Sequence, residues 1–376
     1  MDRALNIIIA GGGTGGHLFP GIAIAREFRV RNPESRLLFV STGRPLELEI
    51  LGREGFRHRR IRAEGMKGMG LFAKIRALWK VPGSILEAWG VIRGFGPDLV
   101  VGVGGYSSGA VVVAARLCRV PCVLQEQNIL PGITNRILAR WVNRIYVSFE
   151  ATQFPGVRAP VFMTGNPVRK EILEAAALAG DPREGRPESS FHLLVLGGSQ
   201  GAHGINQAMT DAAAHLADAG PIHIMHQTGA RDEAEVRAAY AARGLSAEVR
   251  AFYDDMPQRY RDADLIVCRA GATTVAEISA VGKPAIFIPF PHAADNHQEL
   301  NARPLVSAGA AEMMLEQDLS GALLAERIRW LWGHSEALAE MAGRAREMGR
   351  PNAAAAIVDD CYELLIPSRT MGPAGP

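Results

Sequence analysis

The sequence predicts an α/β protein made of two similar doubly wound, Rossmann-like domains, and three observations support this prediction. The 376 residues, 48% of them hydrophobic, are enough for two domains with separate cores. Short apolar runs alternate with helical patterns in both halves, which is typical of parallel sheets built from βαβ units. The two halves also resemble each other. Two such domains would face a cleft, with ligands at the carboxyl ends of both sheets.

A weak internal repeat relates the halves. Residues 7–17, an apolar strand followed by a glycine-rich turn and a histidine, parallel residues 193–203. Residues 97–108 parallel residues 263–274, each with an aspartate and an apolar strand before a turn of small residues. Because both turns recur, we expect two related domains between which two substrates could meet.

The first half contains the elements of one complete doubly wound domain. We predict strands at 5–10, 37–41, 98–103, 122–125 and 144–147, and helices at 22–30, 108–117 and 132–141. The pattern breaks around Gly165-Asn166-Pro167, and residues 181–190 form a polar loop without periodicity. These signals place the first domain at residues 1–165.

The second half repeats the same alternation. We predict strands at 191–196, 222–225, 248–252, 264–268 and 284–288, followed by three helical segments after Ser320. These elements form a second domain at residues 166–350. Residues 351–376 supply a closing helix, with packing against the first domain as one arrangement, and a frayed tail.

Charge is divided unequally along the chain. Residues 1–165 carry 22 Lys and Arg against 11 Asp and Glu, whereas the remainder carries 19 against 28. A basic first half indicates an anionic partner, either nucleic acid or a phospholipid surface. We expect no secretion signal, and no apolar stretch reaches the roughly 20 residues that span a bilayer. Any membrane contact would therefore be peripheral.

Composition excludes other classes of protein. Glycine is frequent without a G-X-Y period, so the chain is neither collagen-like nor disordered. Four scattered cysteines favour neither a disulfide framework nor a zinc site. Asp262 and Asp264 match a D-x-D metal motif, but they lie where a strand begins, at the wrong end of a sheet for a ligand. We therefore predict no metal site.

Two glycine turns are the main candidates for phosphate binding. Gly11, Gly13 and Gly16 lie between a strand and a helix, where backbone N–H groups and a helix N-terminus favour an anion. The alternative is a tight turn for packing alone. A dinucleotide site would also need an acid at the end of the second strand, and Arg44 would suit only a 2′-phosphate. A second glycine turn lies at 197–201. Two such turns would suit a diphosphate bound at one and an acceptor bound at the other.

Three side chains carry candidate chemistry. His17 stands at a helix start, which favours a neutral imidazole that accepts a proton, although a structural histidine is the alternative. Glu277, inside a helix after a buried strand, could accept hydrogen bonds from a ribose diol; otherwise it is a solvated helix residue. Arg169 is a candidate for stabilising leaving-group charge, or else a surface arginine.

A basic amphipathic segment precedes Pro82, which is expected to interrupt it. Its apolar residues follow helical spacing with basic residues between them: Leu71, Phe72, Ile75 and Trp79, with Lys74 and Lys80. Such stripes are usually core. Together with the basic first half, however, this one favours a helix that lies on anionic lipid. Nucleic acid is less favoured because no recognition motif appears.

As a set, these motifs resemble the family of peptidoglycan N-acetylglucosaminyltransferases in the GT-B glycosyltransferase class. The residues that carry the resemblance are 12–17, 104–109, 126–128, 165–169, 197–202, 226–229, 268–277 and 289–292, in the family's order. The resemblance implies inverting transfer of GlcNAc from UDP-GlcNAc to the C4 hydroxyl of undecaprenyl-diphospho-MurNAc-pentapeptide (lipid I), which gives lipid II in peptidoglycan synthesis. It implies neither a metal nor a redox cofactor.

The resemblance also implies roles for individual residues. The donor would bind at Thr14, Gly15, Gly16, Asn128, Arg169, Ser199, Gln200, Gly201, Tyr253, Ala272, Thr273, Thr274, Val275, Glu277 and Gln298. Glu277 would bind the ribose, and Tyr253 would bind the uracil through its main chain. Gln298 would bind the GlcNAc hydroxyls, with His297 as the alternative for that role. The acceptor would bind at His17, Gly104, Tyr106 and Ser107. We expect His17 to be the catalytic base, with Glu126 as its rival.

The implied location is the cytoplasmic face of the inner membrane, as a peripheral protein, with cell-wall or division assemblies as further partners. Other readings stay open. Part of this pattern would also fit three other kinds of protein: another GT-B transferase, an NADP-dependent oxidoreductase that uses Gly11–Gly16 and Arg44, and a nucleotide-sugar sensor without catalysis. Product formation separates the transferase from the sensor.

Overall fold

The computed structural model describes residues 3–13, 15–62, 71–178, 190–198 and 201–366; for residues 71–80 and 294 it describes only the backbone. Contacts divide the chain into two units. Unit 1 comprises Met1–Gln127, Pro131–Pro167 and Asn352–Pro376, and unit 2 comprises Asn128–Leu130 and Val168–Pro351. The chain therefore leaves unit 1 twice, and it returns to unit 1 at the end.

Unit 1 is a doubly wound domain. Its strands are β1 (Asn6–Gly11), β2 (Arg36–Ser41), β3 (Arg57–Arg60), β4 (Leu99–Gly104), β5 (Cys122–Glu126), β6 (Arg144–Val147) and β7 (Val161–Met163). Among the described residues they pair in parallel in the order β3-β2-β1-β4-β5-β6-β7. Its helices are α1 (Gly15–Arg31), α2 (Pro45–Arg53), α3 (Leu71–Phe95), α4 (Tyr106–Leu117), α5 (Ile133–Leu138) and α14 (Ala353–Leu365).

The strands of unit 1 are apolar because helices cover both faces of the sheet. Ile7 and Ile9 of β1 point to one face, into a core shared with α1 and α14. Ile8 and Ala10 point to the other, into a core shared with α3, α4 and α5. This alternation follows from the two-residue period of a strand. A strand buried on both faces has a continuous apolar sequence, which is why β1 was predictable.

Unit 2 repeats this plan. Its strands are β8 (Phe191–Leu196), β9 (Ile222–Gln227), β10 (Ser246–Arg250), β11 (Leu265–Cys268), β12 (Ala285–Phe287) and β13 (Glu312–Met313). The described strands form a parallel sheet in the order β10-β9-β8-β11-β12-β13. Its helices are α6 (Lys170–Ala177), α7 (His203–Leu216), α8 (Glu233–Ala242), α9 (Met256–Asp262), α10 (Ala272–Val281), α11 (His297–Ser307), α12 (Gly321–Gly333) and α13 (Ser335–Met348).

The predicted α/β class with two Rossmann-like domains is confirmed. The closing helix α14 packs within unit 1: its Ile357 and Cys361 join the core that contains Phe28 of α1. The Tyr146 hydroxyl of β6 donates a hydrogen bond of 2.6 Å to Asp360 Oδ2. None of the helices in the described ranges combines the length and the apolar character needed to cross a membrane.

Three local expectations were wrong. The helix expected at 132–141 ends at Leu138, and Trp141 is exposed beyond it. Strand β3 was missed because Arg57–Arg60 is a polar edge strand without an apolar pattern. Helix α3 also continues through Pro82 to Phe95. A proline removes one helical hydrogen bond, and burial of Ala88 and Ile92 supports the helix beyond it.

Candidate active site

The described start of the first glycine turn, Gly11–Gly13, lies against a second loop that contains Gly104 and Gly105, at the carboxyl edge of the unit 1 sheet. A Cβ atom added at Gly11 would overlap the carbonyl oxygen of Gly104, and one at Gly105 would lie 2.8 Å from the carbonyl oxygen of Gly12. Gly12 and Gly104 have φ angles of +148° and +94°, which side chains disfavour. Close packing thus accounts for glycine at these positions. Helix α1 begins just after the turn, at Gly15.

His17 is the third residue of α1 and is half-buried. Its ring lies over the second loop, because a Cβ atom at Gly104 would be 2.7 Å from His17 Cδ2. Tyr106 and Ser107 begin α4 directly after that loop, with Tyr106 half-buried and Ser107 buried. The structure therefore brings together four residues expected at the acceptor site: His17, Gly104, Tyr106 and Ser107.

Glu126 ends β5 at the same edge of the sheet and is 1% exposed. Its Oε2 accepts hydrogen bonds from the Gly132 N–H, at 3.0 Å, and from Asn135 Nδ2, at 2.9 Å. Asn135 was not predicted. No local signal in the sequence identifies it, since its burial depends on the fold. Its amide fixes the orientation of the Glu126 carboxylate. These two contacts join β5 to the start of α5.

In unit 2, the glycine turn after β8 is connected to the segment after β10 by one side chain. Gln227 Nε2 donates to the carbonyl of Gly198 at 3.0 Å, and its Oε1 accepts from the Tyr253 N–H at 3.0 Å. The Tyr253 ring is buried, and its hydroxyl donates to the Glu248 carbonyl. Gln227 was not among the expected site residues, although it belongs to the motif at 226–229. It positions the turn expected to hold the diphosphate relative to the segment expected to hold uracil.

Glu277, Arg169 and Tyr260 form a buried cluster in unit 2. Arg169 Nε and Nη2 donate to Glu277 Oε1 at 3.1 and 2.9 Å, and the Tyr260 hydroxyl donates to Glu277 Oε2 at 2.9 Å. Glu277 is 4% exposed, so it is not a solvated helix residue, and Arg169 is not a plain surface arginine. Tyr260 is the residue that sequence analysis missed.

The cluster fixes the protonation of Arg169 and Tyr260. Burial alone would lower the pKa of Arg169, but the neighbouring Glu277 carboxylate reverses this and leaves the pKa above its ordinary value. Burial and the same carboxylate raise the pKa of Tyr260 well above its usual range. Tyr260 therefore remains a hydrogen-bond donor, and the guanidinium keeps its charge.

Helix α10 begins at the carboxyl end of β11 and carries the other expected donor residues, Ala272–Val275, in its first turn. The first N–H groups of a helix have no partner within the helix, and its dipole favours an anion there. Glu277 lies on the same helix, one turn further on. A nucleotide held by Glu277 would thus have a helix N-terminus nearby.

Two further expected donor residues have identified partners in unit 2. Gln298 Oε1 accepts a hydrogen bond from the Phe290 N–H at 2.9 Å. Asn128 Oδ1 accepts from Asn301 Nδ2 at 3.1 Å, and Asn301 Oδ1 accepts from the Ile129 N–H at 3.0 Å. Asn301 is fully buried and was not predicted. Through it, the segment Asn128–Leu130 is attached to α11.

Several expected residues lie outside the described part of the chain. Among the donor residues these are Thr14, Ser199 and Gln200. The side chains of the proposed membrane stripe, Leu71, Phe72, Lys74, Ile75, Trp79 and Lys80, also lie outside it. Asp264 is described: its Oδ2 accepts from the His192 N–H at the amino end of β11. This position agrees with a structural role for the D-x-D sequence.

His226 of β9 is fully buried in unit 2. Its ring nitrogens lie 2.8 Å from the Tyr240 hydroxyl and 3.0 Å from Asn206 Oδ1. Burial lowers the pKa of His226 to about 3. The folded protein thus disfavours the imidazolium, whereas an unfolded histidine takes up a proton near pH 6.5.

This difference predicts acid sensitivity of unit 2. The contribution of neutral His226 to stability is complete above pH 6.5 and is lost progressively as the pH falls toward 3. Between pH 7 and pH 5 the free energy of unfolding should fall by about 2 kcal/mol more in the wild type than in His226→Gln. Urea titrations of both proteins at both pH values measure this. Equal losses in the two proteins would contradict the prediction.

Two parallel-sheet units, each with a glycine-rich turn at the carboxyl edge of its sheet, agree with the fold of the GT-B glycosyltransferases. The chain belongs to glycosyltransferase family 28: the family's N-terminal domain matches residues 7–147, and its C-terminal domain matches residues 192–357.

Relatives within this family are similar over nearly their whole length. A UDP-N-acetylglucosamine--N-acetylmuramyl-(pentapeptide) pyrophosphoryl-undecaprenol N-acetylglucosamine transferase from Syntrophus aciditrophicus is 47% identical, over 96% of this chain and 99% of its own. The protein of that name from Geobacter sulfurreducens is also 47% identical, over 95% of this chain and 98% of its own.

Solved structures agree with these relatives. The crystal structure of MurG from Acinetobacter baumannii is similar with a TM-score of 0.75 and 29% identity, over 96% of this chain and 99% of that one. A UDP-GlcNAc 2-epimerase from Neisseria meningitidis has a TM-score of 0.67 at 14% identity, over 96% of this chain and 99% of its own. This second likeness concerns the fold alone.

Proposed function

We propose that this protein transfers GlcNAc from UDP-GlcNAc to the C4 hydroxyl of the MurNAc residue in lipid I, with inversion at the anomeric carbon, and so makes lipid II. The observation that carries the proposal is 47% identity, over nearly the full length of both chains, to transferases named for this reaction. Family membership and the two-unit fold support the same reaction class.

Unit 2 is the proposed donor half. The Glu277 carboxylate, held by Arg169 and Tyr260, would accept hydrogen bonds from the ribose 2′- and 3′-hydroxyls. The first turn of α10 and the glycine turn at 197–201 would present N–H groups to the diphosphate. These groups, with Arg169, would stabilise the charge that develops on departing UDP. Gln298 would contact the GlcNAc hydroxyls.

Unit 1 is the proposed acceptor half, with His17 as the general base. His17 is half-buried and lies against Gly104, two residues before Tyr106, where it could reach the hydroxyl of a bound acceptor. Glu126 is less suited to this role, because it is 1% exposed and its Oε2 already accepts two hydrogen bonds. We propose that Glu126 instead orients Asn135 and the start of α5. In the reaction, His17 takes the proton as the C4 oxygen attacks the anomeric carbon and UDP leaves.

The test is UDP release from UDP-GlcNAc with a soluble lipid I analogue. It includes samples with EDTA, with UDP-glucose as a competing donor, and without acceptor. We expect release that needs the acceptor, survives EDTA and favours GlcNAc, with a disaccharide product by mass spectrometry. Release with other acceptors only would indicate a different GT-B transferase. Tight UDP-GlcNAc binding without product would indicate a sensor, and no release with tight NADPH binding would indicate the oxidoreductase.

We also propose that one face of unit 1 binds the anionic surface of the cytoplasmic membrane, where the lipid-linked acceptor resides. Helices α3 and α5 belong to one layer, since Ala88 and Leu138 share a core. On the outside of this layer, large apolar side chains are exposed: Leu86 and Trp89 on α3, with Ile133, Ile137 and Trp141 on and after α5. Arg136 and Arg140 are exposed between them. Exposed aromatics among basic residues suit an anionic lipid surface.

The membrane proposal predicts a selective loss. Replacing Ile137 and Trp141 together by serine removes exposed apolar area without touching the core. Binding to vesicles that contain phosphatidylglycerol should therefore weaken at least tenfold, with UDP binding unchanged. The matched control is Val30→Ser, an exposed apolar residue on α1 at the opposite face of the sheet. Co-sedimentation measures binding, and equal binding by both variants would refute the membrane proposal.

A further inference from the structure

A buried carboxylate lies beneath the first glycine turn. Glu47 is in the first turn of α2 and is 2% exposed. It was not among the expected site residues, because it comes several positions after β2 and resembles an ordinary helix-capping glutamate. It does act as a cap: its Oε2 accepts from the Arg44 N–H at 2.9 Å. Its other contacts go beyond that role.

The same carboxylate holds the turn itself. Glu47 Oε1 accepts a hydrogen bond from the Gly13 N–H, and Oε2 also accepts one from the Ser41 hydroxyl at 2.8 Å. Arg44 Nη1 donates to the Gly13 carbonyl at 2.8 Å. Both main-chain polar groups of Gly13 are therefore held by α2 and the residue that caps it. The Gly13 N–H donates to the Glu47 carboxylate and is therefore not available to a phosphate. A phosphate at this turn would bind to N–H groups further along the chain.

Gly12 packs so closely against Glu47 that no side chain would fit at this position without a shift. A Cβ atom at Gly12 would lie 2.5 Å from Glu47 Oε1 and 3.1 Å from Ser41 Cβ. Burying a carboxylate is costly unless every lone pair facing the protein is satisfied. Here a backbone N–H of the turn, a hydroxyl and a cap N–H satisfy it together. An uncharged cap would stabilise α2 at a lower desolvation cost, which points to a role for the acid in the turn.

We propose that Glu47 is a positioning residue for glycosyl transfer: it holds the first glycine turn in the conformation that presents His17, four residues beyond Gly13, to the acceptor. The proposal rests on the proposed function, with His17 as base. Glu47 contacts neither substrate; it acts through the turn.

The test compares Glu47→Gln with three other single variants in the lipid I assay. The amide keeps the size of the side chain but cannot accept from all three donors. We expect kcat to fall at least tenfold, with the Kd for UDP within twofold of wild type because the nucleotide binds unit 2. Gly12→Ala, whose Cβ atom would lie 2.5 Å from Glu47 Oε1 and so push the turn away from the carboxylate, should give the same pattern. Ser41→Ala should cost about threefold, since one donor of three is lost. Glu49→Gln, on α2 but exposed, is the matched control and should change nothing.

A double variant separates positioning from mere stability. If Glu47 acts through His17, adding Glu47→Gln to His17→Ala should lower kcat less than twofold further, whereas independent effects would multiply. A tenfold further loss would overturn the proposal, as would near-normal kcat in a folded Glu47→Gln. Should Glu47→Gln fail to fold, Gly12→Ala and Ser41→Ala decide by the same criteria. Wild-type protein without transferase activity would instead refute the proposed function.

Discussion

Replacing His17 by alanine should lower kcat for lipid II formation by roughly 100-fold or more, with UDP binding within twofold of wild type. Removal of a positioned general base typically costs a factor of about 10² to 10⁴. UDP binding should persist because the nucleotide is assigned to unit 2, whereas His17 lies at the glycine loops of unit 1. Steady-state kinetics with both substrates saturating, and calorimetry with UDP, measure the two quantities.

The internal repeat supplies the matched control. His203 begins α7 in unit 2, at the position that corresponds to His17 in unit 1, and its Nδ1 lies 2.9 Å from Asp232 Oδ2. His203 therefore has a structural partner. We expect His203→Ala to keep kcat within about threefold of wild type. Near-normal turnover of His17→Ala would contradict the assignment of His17 as the base and would favour Glu126 for this role.

Replacing Glu277 by alanine should weaken UDP-GlcNAc binding by roughly 100-fold to 10,000-fold and destabilise unit 2. Two hydrogen bonds to a charged acceptor would be lost, at about 1.5 to 3 kcal/mol each. Arg169 and Tyr260 would also lose their shared acceptor inside the unit, and breaking a buried ion pair costs about 3 to 5 kcal/mol. Calorimetric titration with UDP-GlcNAc and urea unfolding measure the two effects.

Two milder variants separate ribose recognition from stability. Glu277→Gln keeps the shape of the side chain, and it should reduce the preference for UDP-GlcNAc over its 2′-deoxyribose analogue. Tyr260→Phe leaves the carboxylate in place but removes one donor, so it should weaken donor binding only about threefold. Glu174→Gln, exposed on α6, is the control without an expected effect. If Glu277→Gln kept full discrimination against the deoxy analogue, Glu277 would not bind the ribose.

The fold could be predicted because its central strands are buried on both faces. Residues such as Ile7, Ile8 and Ile9 have no solvent-facing positions, so an unbroken apolar run marks the strand. Where a strand lies at an edge, this signal disappears: β3 is Arg57–Arg60, and no apolar pattern could identify it. Helix ends were less certain, as α5 and Pro82 demonstrate, because tertiary packing decides where a helix stops.

The candidate site could be predicted only where glycine turns marked it. His17 stands next to such a turn, and Glu277 follows residues 263–274, which repeat residues 97–108 of the first half. The supporting residues Glu47, Tyr260 and Asn301 have no local signal. Glu47 contacts Gly13, 34 residues earlier, and Asn301 contacts the chain at Ile129, 172 residues earlier. A single sequence does not reveal which polar residues become buried partners at such separations.

The return of α14 to unit 1 has a consequence for synthesis of the chain. Unit 2 is nearly continuous, Val168–Pro351, whereas unit 1 needs both its early strands and the last helix. Ile357 and Cys361 fill the core against Phe28, so this core stays incomplete until α14 has been synthesised. The half of the protein that is made first is therefore the half completed last. Until then this face of the sheet is covered only in part, by α1 and its neighbours, and a chain truncated before residue 353 would keep that apolar area exposed.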